Sequence, residues 1–245
     1  MVLSKSDIKR INALKIKKYR VIEKQFVAEG QKIILDLIQI GLIPELLVTT
    51  KLQESLFNHI DSNKLRIASE EDLQKISSLK QSPGCLAIFN TPEPTEEIPN
   101  ESWILATDDI QDPGNLGTLI RIADWFGIRY IVCSIETVDA YNSKVVQATM
   151  GSIGRVQIHY VDLEDFFKKN PTRKIYAGVL DGRDIRDINF AEPGILLIGN
   201  ESKGIDKSLM SYVSDPVLIP RLGEAESLNA GVAAGIMVSF ALLSR

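Results

Sequence analysis

The chain has 245 residues, 44% of them hydrophobic, so it can bury a sizeable core and is long enough for two domains. No apolar run has the length of a membrane span, about 18 residues, and the start Met1-Val2-Leu3-Ser4-Lys5 lacks the apolar stretch of a signal peptide. With two cysteines and two histidines, the sequence offers no cluster of soft metal ligands. We expect no membrane contact and no metal. If Cys85 and Cys133 are buried free thiols, as their apolar surroundings indicate, the location is cytoplasmic.

Charge is distributed unevenly along the chain. The net charge is −4, but residues 1–95 carry 14 basic and 11 acidic side chains, whereas residues 96–245 carry 14 and 21. The first 24 residues alone carry eight basic and two acidic side chains. Such a segment can bind the phosphates of a nucleic acid, although a solvated amphipathic helix would have the same composition.

The N-terminal part alternates predicted helices and strands. A helix over residues 4–17 would place Ile8, Ile11 and Leu14 on one face. Further helices are predicted at 31–40, at 51–60 and from Ser69, and strands at 25–29, 46–49, 65–68 and 85–89. This pattern predicts a small α/β domain over residues 1–95, followed by a polar linker over 96–102.

A second α/β domain is predicted over residues 103–245. Its predicted strands lie at 103–106, 129–133, 156–160, 174–179, 195–198 and 217–219, and its helices at 115–126, 142–149, 162–169, 206–212 and 230–243. This alternation is typical of a mostly parallel sheet with helices on both faces. The glycines match neither the dinucleotide fingerprint nor the P-loop, but several follow predicted strands, where open α/β sheets bind ligands.

Two predicted helices of this domain carry unusual residues. Asn115 should cap the first of them, and Arg121 should lie over Gly117 and reach the loop 108–114, where it would suit an anionic ligand. An ordinary surface arginine is the alternative interpretation. The last helix contains Gly231, although glycine inside a helix costs about 1 kcal/mol relative to alanine, so a close approach of another segment is expected. Ser227 is its expected N-cap.

Three motifs follow one another in the C-terminal part. They are N-L-G-x-x-x-R-x-A-x-x-F-G from Asn115, L-I-G-N-E-x-x-G from Leu197, and I-P followed after six residues by S-L-N, from Ile219. Together they resemble the SpoU (TrmH) family of the SPOUT superfamily, whose members are RNA ribose 2′-O-methyltransferases that use S-adenosylmethionine. The segments F-V-A-E-G-Q from Phe26 and P-G-C-L-A from Pro83 also resemble that family's ribosomal-L30e-like RNA-binding domain.

The resemblance implies several further properties. The C-terminal domain would be a SPOUT methyltransferase domain with a deep trefoil knot, and the protein would be a homodimer with its active site near the subunit interface. S-adenosylmethionine would lie on the loops of Gly199, Ile219 and Leu228. The reaction centre would be lined by Asn115, Arg121, Glu201, Ser227 and Asn229.

The role of Arg121 is open between two mechanisms. The resemblance suggests a general base for the ribose 2′-hydroxyl, but a guanidinium is effectively never neutral in a protein. Stabilisation of the developing alkoxide is therefore the physically easier role. Glu201 and Asn229 would orient Arg121, and Ser227 would cap the helix or touch the substrate.

The substrate expected from the N-terminal accessory domain is ribosomal RNA, with transfer RNA as the alternative. A catalytically silent RNA-binding protein of the same fold and a base methyltransferase of another SPOUT branch also remain open, although Asn115, Arg121 and Glu201 together argue against silence. Trp125 and Phe126 are expected in the core rather than in a base-flipping pocket, so a ribose is the expected target.

Overall fold

The computed structural model describes residues 1–243, so positions 244 and 245 of the predicted C-terminal domain lie outside the described residues. The chain divides into two units, and each is described by itself. Unit 1 comprises Met1–Pro92 and Tyr141–Gly154, and unit 2 comprises Glu93–Ala140 and Arg155–Arg245. Among the described residues, no helix combines the length and apolar content that crossing a membrane requires.

Unit 1 is built on a four-stranded sheet in the order β1-β4-β2-β3. Its strands are β1 (Gln25–Glu29), β2 (Leu46–Thr49), β3 (Leu65–Ile67) and β4 (Cys85–Asn90), and its N-terminal segment supplies helices α1 (Lys5–Ala13), α2 (Lys17–Glu23), α3 (Gln31–Gln39) and α4 (Glu70–Ile76). Strand β4 is antiparallel to β1 and β2, whereas β2 and β3 are parallel.

The helix predicted over residues 4–17 ends at Ala13, and a second helix that was not predicted begins at Lys17. Ser4 caps α1 by accepting a hydrogen bond from the Asp7 amide over 3.1 Å, and Ile11 and Leu14 are buried in the core as predicted. The chain then turns and forms α2, whose only buried residue is Arg20. The helix predicted over 51–60 is wrong, because only a short 3₁₀ turn forms there.

Unit 2 contains a six-stranded sheet in the order β10-β8-β9-β5-β6-β7, in which every neighbouring pair is parallel. Its strands are β5 (Ile104–Thr107), β6 (Tyr130–Ser134), β7 (Gln157–Val161), β8 (Ile175–Asp184), β9 (Ile195–Ile198) and β10 (Asp215–Leu218), and its helices are α5 (Pro113–Trp125), α7 (Leu163–Lys169) and α8 (Ala230–Leu243). The predicted parallel α/β fold is confirmed, whereas the trefoil knot stays a prediction. The helix predicted at 206–212 is only a 3₁₀ turn.

Both faces of this sheet are covered, which explains why β9 is buried throughout. On one face, Ala177 belongs to a cluster that includes Phe167 of α7. On the other face, Met237 of α8 lies beside Gly178, so close that a Cβ atom there would be 2.9 Å from the Met237 sulfur. Successive strand residues point to opposite faces, so helices flank the sheet on both sides as predicted.

The segment 141–154, which contains helix α6 (Ser143–Thr149), packs within unit 1. The ring centroids of Tyr141 and Phe26 are 5.1 Å apart. At the other end of the segment, the backbone of Gly154 lies directly against the side chains of Leu37 and Ile40. Unit 1 is therefore discontinuous in sequence, and its second piece comes from inside the predicted C-terminal domain.

Candidate active site

The candidate site lies where strands β10, β8, β9 and β5 end. These four strands are parallel neighbours, so their carboxyl ends meet at one edge of the sheet, the usual place for a ligand in an open α/β fold. Four segments follow there: the loop 108–112, an excursion of β8 over 178–182, the loop 199–206 and the loop 219–229.

The excursion over 178–182 was missed by sequence reasoning. Pro216 of β10 lies opposite Ala177, but the next residue, Val217, lies opposite Arg183, so the intervening part of β8 leaves the ladder. The available sequence signal was Gly182, because a glycine in a strand often marks a bulge or a close approach of another backbone. In the structure, a Cβ atom there would lie 2.6 Å from the Pro216 carbonyl oxygen.

Three predicted site residues meet in one hydrogen-bonded chain. The Asn115 side-chain amide donates to Glu201 Oε1 over 2.5 Å, and the Asn229 amide donates to Asn115 Oδ1 over 2.7 Å. The chain connects the first turn of α5, the loop after β9 and the start of α8. It fixes the orientation of the Asn115 amide, whose oxygen and nitrogen both have partners.

The predicted caps of the two helices are wrong. Asp112, not Asn115, caps α5 by accepting from the Asn115 backbone N–H over 2.8 Å, because Pro113 occupies the first helical position and thus sets the start of the helix. Asn229, not Ser227, caps α8, and its Oδ1 accepts from the amide of Gly231 over 2.9 Å. The side chain of Asn115 is therefore not used by the helix cap and forms the hydrogen bonds to Glu201 and Asn229 instead.

Arg121 is exposed, and its guanidinium forms no hydrogen bond or salt bridge with any described residue. Glu201, which was expected to orient it, bonds Asn115 instead. One turn further along α5, the side chain of Trp125 is 84% exposed. Its predicted core position is wrong, because residues 121 and 125 share the outward face of the helix.

The other predicted contacts lie on the loops. Ser227 is exposed and has no hydrogen bond within the described part of the chain, Leu228 is 46% exposed, and Ile219 is half-buried. A Cβ atom on Gly199 would be 2.5 Å from the backbone carbonyl carbon of Gly204. Gly199 therefore allows the loop 199–206 to fold on itself.

Asp108 is a further buried polar residue at this edge that sequence reasoning did not single out. Its side chain is 7% exposed and accepts from the Asp206 amide over 2.7 Å. Burial raises the pKa of this carboxyl group above its ordinary value, and the nearby carboxylates of Asp206 and Asp109 act in the same direction.

Neither thiol of the chain is suited to chemistry. Cys85 and Cys133 are both free and fully buried, as predicted. Burial raises the pKa of Cys85 to about 11 and that of Cys133 to about 12, so both stay protonated and unreactive at neutral pH. Within residues 1–243, no three side chains of His, Cys, Asp or Glu are grouped closely enough to hold a metal ion.

Comparison with known proteins gives consistent results over both parts of the chain. The SpoU rRNA Methylase family matches residues 102–239, and the MRM3-like substrate binding domain matches residues 5–87. The 23S rRNA (guanosine(2553)-2'-O)-methyltransferase RlmP of Bacillus subtilis (strain 168) is 30% identical over 237 residues, which is 94% of each chain.

Two solved structures resemble the whole chain. A TrmH-family protein from Porphyromonas gingivalis has a TM-score of 0.90 and 31% identity, with 100% of both chains covered. The AdoMet-bound rRNA methyltransferase from Sinorhizobium meliloti has a TM-score of 0.88 and 31% identity, with 98% of this chain and 96% of that chain covered. The chain belongs to the SpoU rRNA methylase family.

Proposed function

We propose that this protein transfers a methyl group from S-adenosylmethionine to a ribose 2′-hydroxyl of ribosomal RNA. The observation that carries the proposal is the hydrogen-bonded chain of Glu201, Asn115 and Asn229, which are three residues that the family resemblance assigns to the reaction centre. Ribosomal RNA is favoured over transfer RNA because the relatives described above are named as rRNA methyltransferases.

The loops at the sheet edge fit S-adenosylmethionine, with Gly199, Ile219 and Leu228 as the proposed contacts. Residues 220–228 form no hydrogen bond between backbone groups within the described structure, and the side chain of Leu222 is fully exposed. Backbone N–H and C=O groups without a backbone partner suit the amino-acid part of the cofactor, and exposed leucines suit its adenine ring. When bound, the cofactor supplies an electrophilic methyl group on a sulfonium.

In the proposed mechanism, Arg121 stabilises the alkoxide that develops on the ribose oxygen. The guanidinium has no carboxylate partner among the described residues, so its full charge is available to the substrate. A guanidinium does not accept a proton, so the proton of the hydroxyl passes to water or to an RNA phosphate. Glu201 and Asn229 hold Asn115, and the exposed hydroxyl of Ser227 is available to the substrate.

RNA is proposed to bind the N-terminal domain, residues 1–95, with helix α2 as part of the surface. Lys17, Lys18 and Tyr19 of this short helix are exposed, and so are its apolar residues Val21 and Ile22. The lysines suit phosphates, whereas the aromatic and apolar side chains suit unstacked bases. The catalytic part of the proposed division is residues 103–245, joined by the linker 96–102.

We also propose that the protein is a cytoplasmic homodimer. Trp125 of α5 and Val232 of α8 are 84% and 51% exposed, and large exposed apolar side chains on a pair of packed helices are typical of an interface. The cytoplasmic location rests on the two buried free thiols. Analytical ultracentrifugation tests the dimer, because Trp125→Glu should then sediment as a monomer while the unaltered chain sediments as a dimer.

Alkaline cleavage of RNA tests the proposed activity. Hydrolysis requires a free 2′-hydroxyl, so ribosomal RNA treated with protein and S-adenosylmethionine should gain one alkali-resistant position. The position should be absent when either is left out. A methylated base with an unbroken cleavage ladder would instead show a base methyltransferase. RNA binding without any methylation would indicate a silent protein of the same fold.

A further inference from the structure

We propose that Asn200 and Asp109 are positioning residues that lock the loop 199–206 to the turn after β5. The lock keeps the Glu201 carboxylate within hydrogen-bond reach of Asn115. This inference rests on the methyl transfer proposed above and adds two residues to its machinery. Both act through their neighbours rather than by touching the reacting atoms.

The side chain of Asn200 performs two separate tasks. Its Oδ1 accepts from the amides of Ser202 and Lys203 over 2.9 and 3.0 Å, and this closes the loop into a turn. Its Nδ2 donates to the backbone oxygen of Asp109 over 2.7 Å, and this ties the turn to the end of β5. The backbones of Asn200 and Gly204 also pair in both directions, over 3.0 and 2.9 Å.

Asp109 is itself held in place from several sides. Its backbone has φ of 52°, a left-handed conformation in which Asp and Asn are enriched among the non-glycine residues. Its amide donates to Ser134 Oγ over 3.0 Å, and its carboxylate accepts from Lys203 Nζ over 2.9 Å. The Lys203 hydrogen bond lowers the pKa of the Asp109 carboxyl group, so the carboxylate stays charged at neutral pH. Asp109 therefore forms a rigid anchor for the loop.

The consequence for the site follows from the chain order. Glu201 comes directly after Asn200, so any movement of the turn moves the carboxylate that accepts from Asn115 over 2.5 Å. A displacement of about 1 Å takes such a pair out of hydrogen-bond range. Misplacement of that size can cost up to about 100-fold in rate.

One substitution separates the two tasks of Asn200. Asn200→Asp keeps the oxygen that closes the turn, but it loses the donor and sets a carboxylate against the backbone oxygen of Asp109. The Asp109 side-chain oxygen, 3.4 Å from the present Nδ2, adds like-charge repulsion. We expect kcat to fall about 10- to 100-fold with KM for RNA unchanged, since the loss concerns positioning.

Two further variants make the test specific. Ser202 lies in the same loop, and its exposed hydroxyl bonds no described residue. Ser202→Ala, which removes this hydroxyl, should therefore leave kcat unchanged. In the double variant Asn200→Asp with Asp109→Asn, the new side-chain amide at position 109 can donate a hydrogen bond to the new carboxylate at position 200. Asparagine tolerates the left-handed backbone of position 109, so part of the lost kcat should return.

Hydrogen exchange of the peptide covering 199–206 gives a readout that does not depend on turnover. Exchange should become faster in Asn200→Asp and return toward the original rate in the double variant. If the unaltered protein methylates no ribose, the proposed function fails, while the exchange rates still test the lock. Unchanged kcat and exchange in Asn200→Asp would overturn the inference, and so would a loss in Ser202→Ala of equal size.

Discussion

Gly231 of α8 lies directly against Thr118 of α5: a Cβ atom on the glycine would be 2.7 Å from Thr118 Cγ2. Thr118 cannot easily turn away, because it is β-branched and its hydroxyl donates to the Gly114 carbonyl over 2.8 Å. The close approach that the sequence predicts at this glycine is therefore confirmed. Gly235, which lies one turn further along, has only an ordinary contact with Ile122 at 3.6 Å.

The contact predicts a different cost in two backgrounds. Gly231→Ala should lower the free energy of unfolding by about 1–3 kcal/mol, because the added methyl group overpacks the helix pair. In the Thr118→Ser background, which keeps the hydroxyl and removes Cγ2, the same change should cost less, because the nearest atoms are then Thr118 Cβ and Asn229 Oδ1, each at 3.2 Å. Urea denaturation of the four proteins measures both values. Stabilisation by Gly231→Ala in both backgrounds would contradict the contact.

Glu201 tests whether position or charge matters at the candidate site. Glu201→Ala removes the acceptor of the Asn115 amide and should lower kcat, because that amide then loses its fixed orientation. Glu201→Gln retains an acceptor oxygen at nearly the same place. We expect it to keep most of the activity if Glu201 acts only on Asn115. Equal losses in both variants, measured by single-turnover methylation, would show that the negative charge itself is required.

Arg121 should matter to the reaction and not to the fold. Because its side chain is exposed and unpaired among described residues, Arg121→Ala should leave the thermal midpoint and cofactor binding unchanged while kcat falls about 100- to 1000-fold. Arg129→Ala removes another exposed arginine and serves as the matched control, with kcat unchanged. Full activity of Arg121→Ala would refute the proposed alkoxide stabilisation.

Helix α2 should contribute to RNA affinity. Replacing Lys17 and Lys18 by Gln should weaken binding and reduce the slope of log affinity against log salt by about 1–2, because each phosphate contact releases counterions. Lys168→Gln is the control, since that lysine pairs with Glu164 on α7. Point variants are preferable to deletion of residues 1–95, which would uncover the segment 141–154. A salt slope equal to that of the control would place the RNA elsewhere.

His159 should make the stability depend on pH. Burial lowers its pKa below the ordinary value of 6.5, and its Nε2 is buried without a partner among the described residues. The unfolded chain therefore binds a proton at higher pH than the folded chain does. The free energy of unfolding should fall as pH drops from about 6.5 to the lowered folded pKa. Urea denaturation across this range measures the fall. The free energy of unfolding should fall less in His159→Gln than in the unaltered protein, whereas the exposed control His59→Gln should match the unaltered protein.

Much of the fold can be predicted from the sequence because its strands are short apolar runs with clear ends. β9 matches its predicted bounds, and the three motifs lie at one edge of the sheet, where Asn115, Glu201 and Asn229 are hydrogen-bonded. The caps could have been predicted as well. Asp112 followed by Pro113 is a typical start of a helix, and it should have outweighed Asn115.

Other features depend on contacts that no local pattern contains. Trp125 lies outside the core because tertiary packing decides which helix face is covered, and an aromatic residue fits either face. The lock between Asn200 and Asp109 joins residues 91 positions apart in sequence, and each looks like an ordinary loop residue. The packing of 141–154 in unit 1 has no signal in spacing or composition.

The interrupted sequence of unit 1 also sets an order of events during protein synthesis. Domains commonly fold as they leave the ribosome, but the first 92 residues lack the piece that packs against Phe26 and Leu37. At about 5–20 residues per second, the ribosome needs roughly 3–12 s more to reach Gly154. During that interval the nascent chain exposes apolar side chains that the segment 141–154 later covers, so unit 1 completes its packing only after Gly154 has been made.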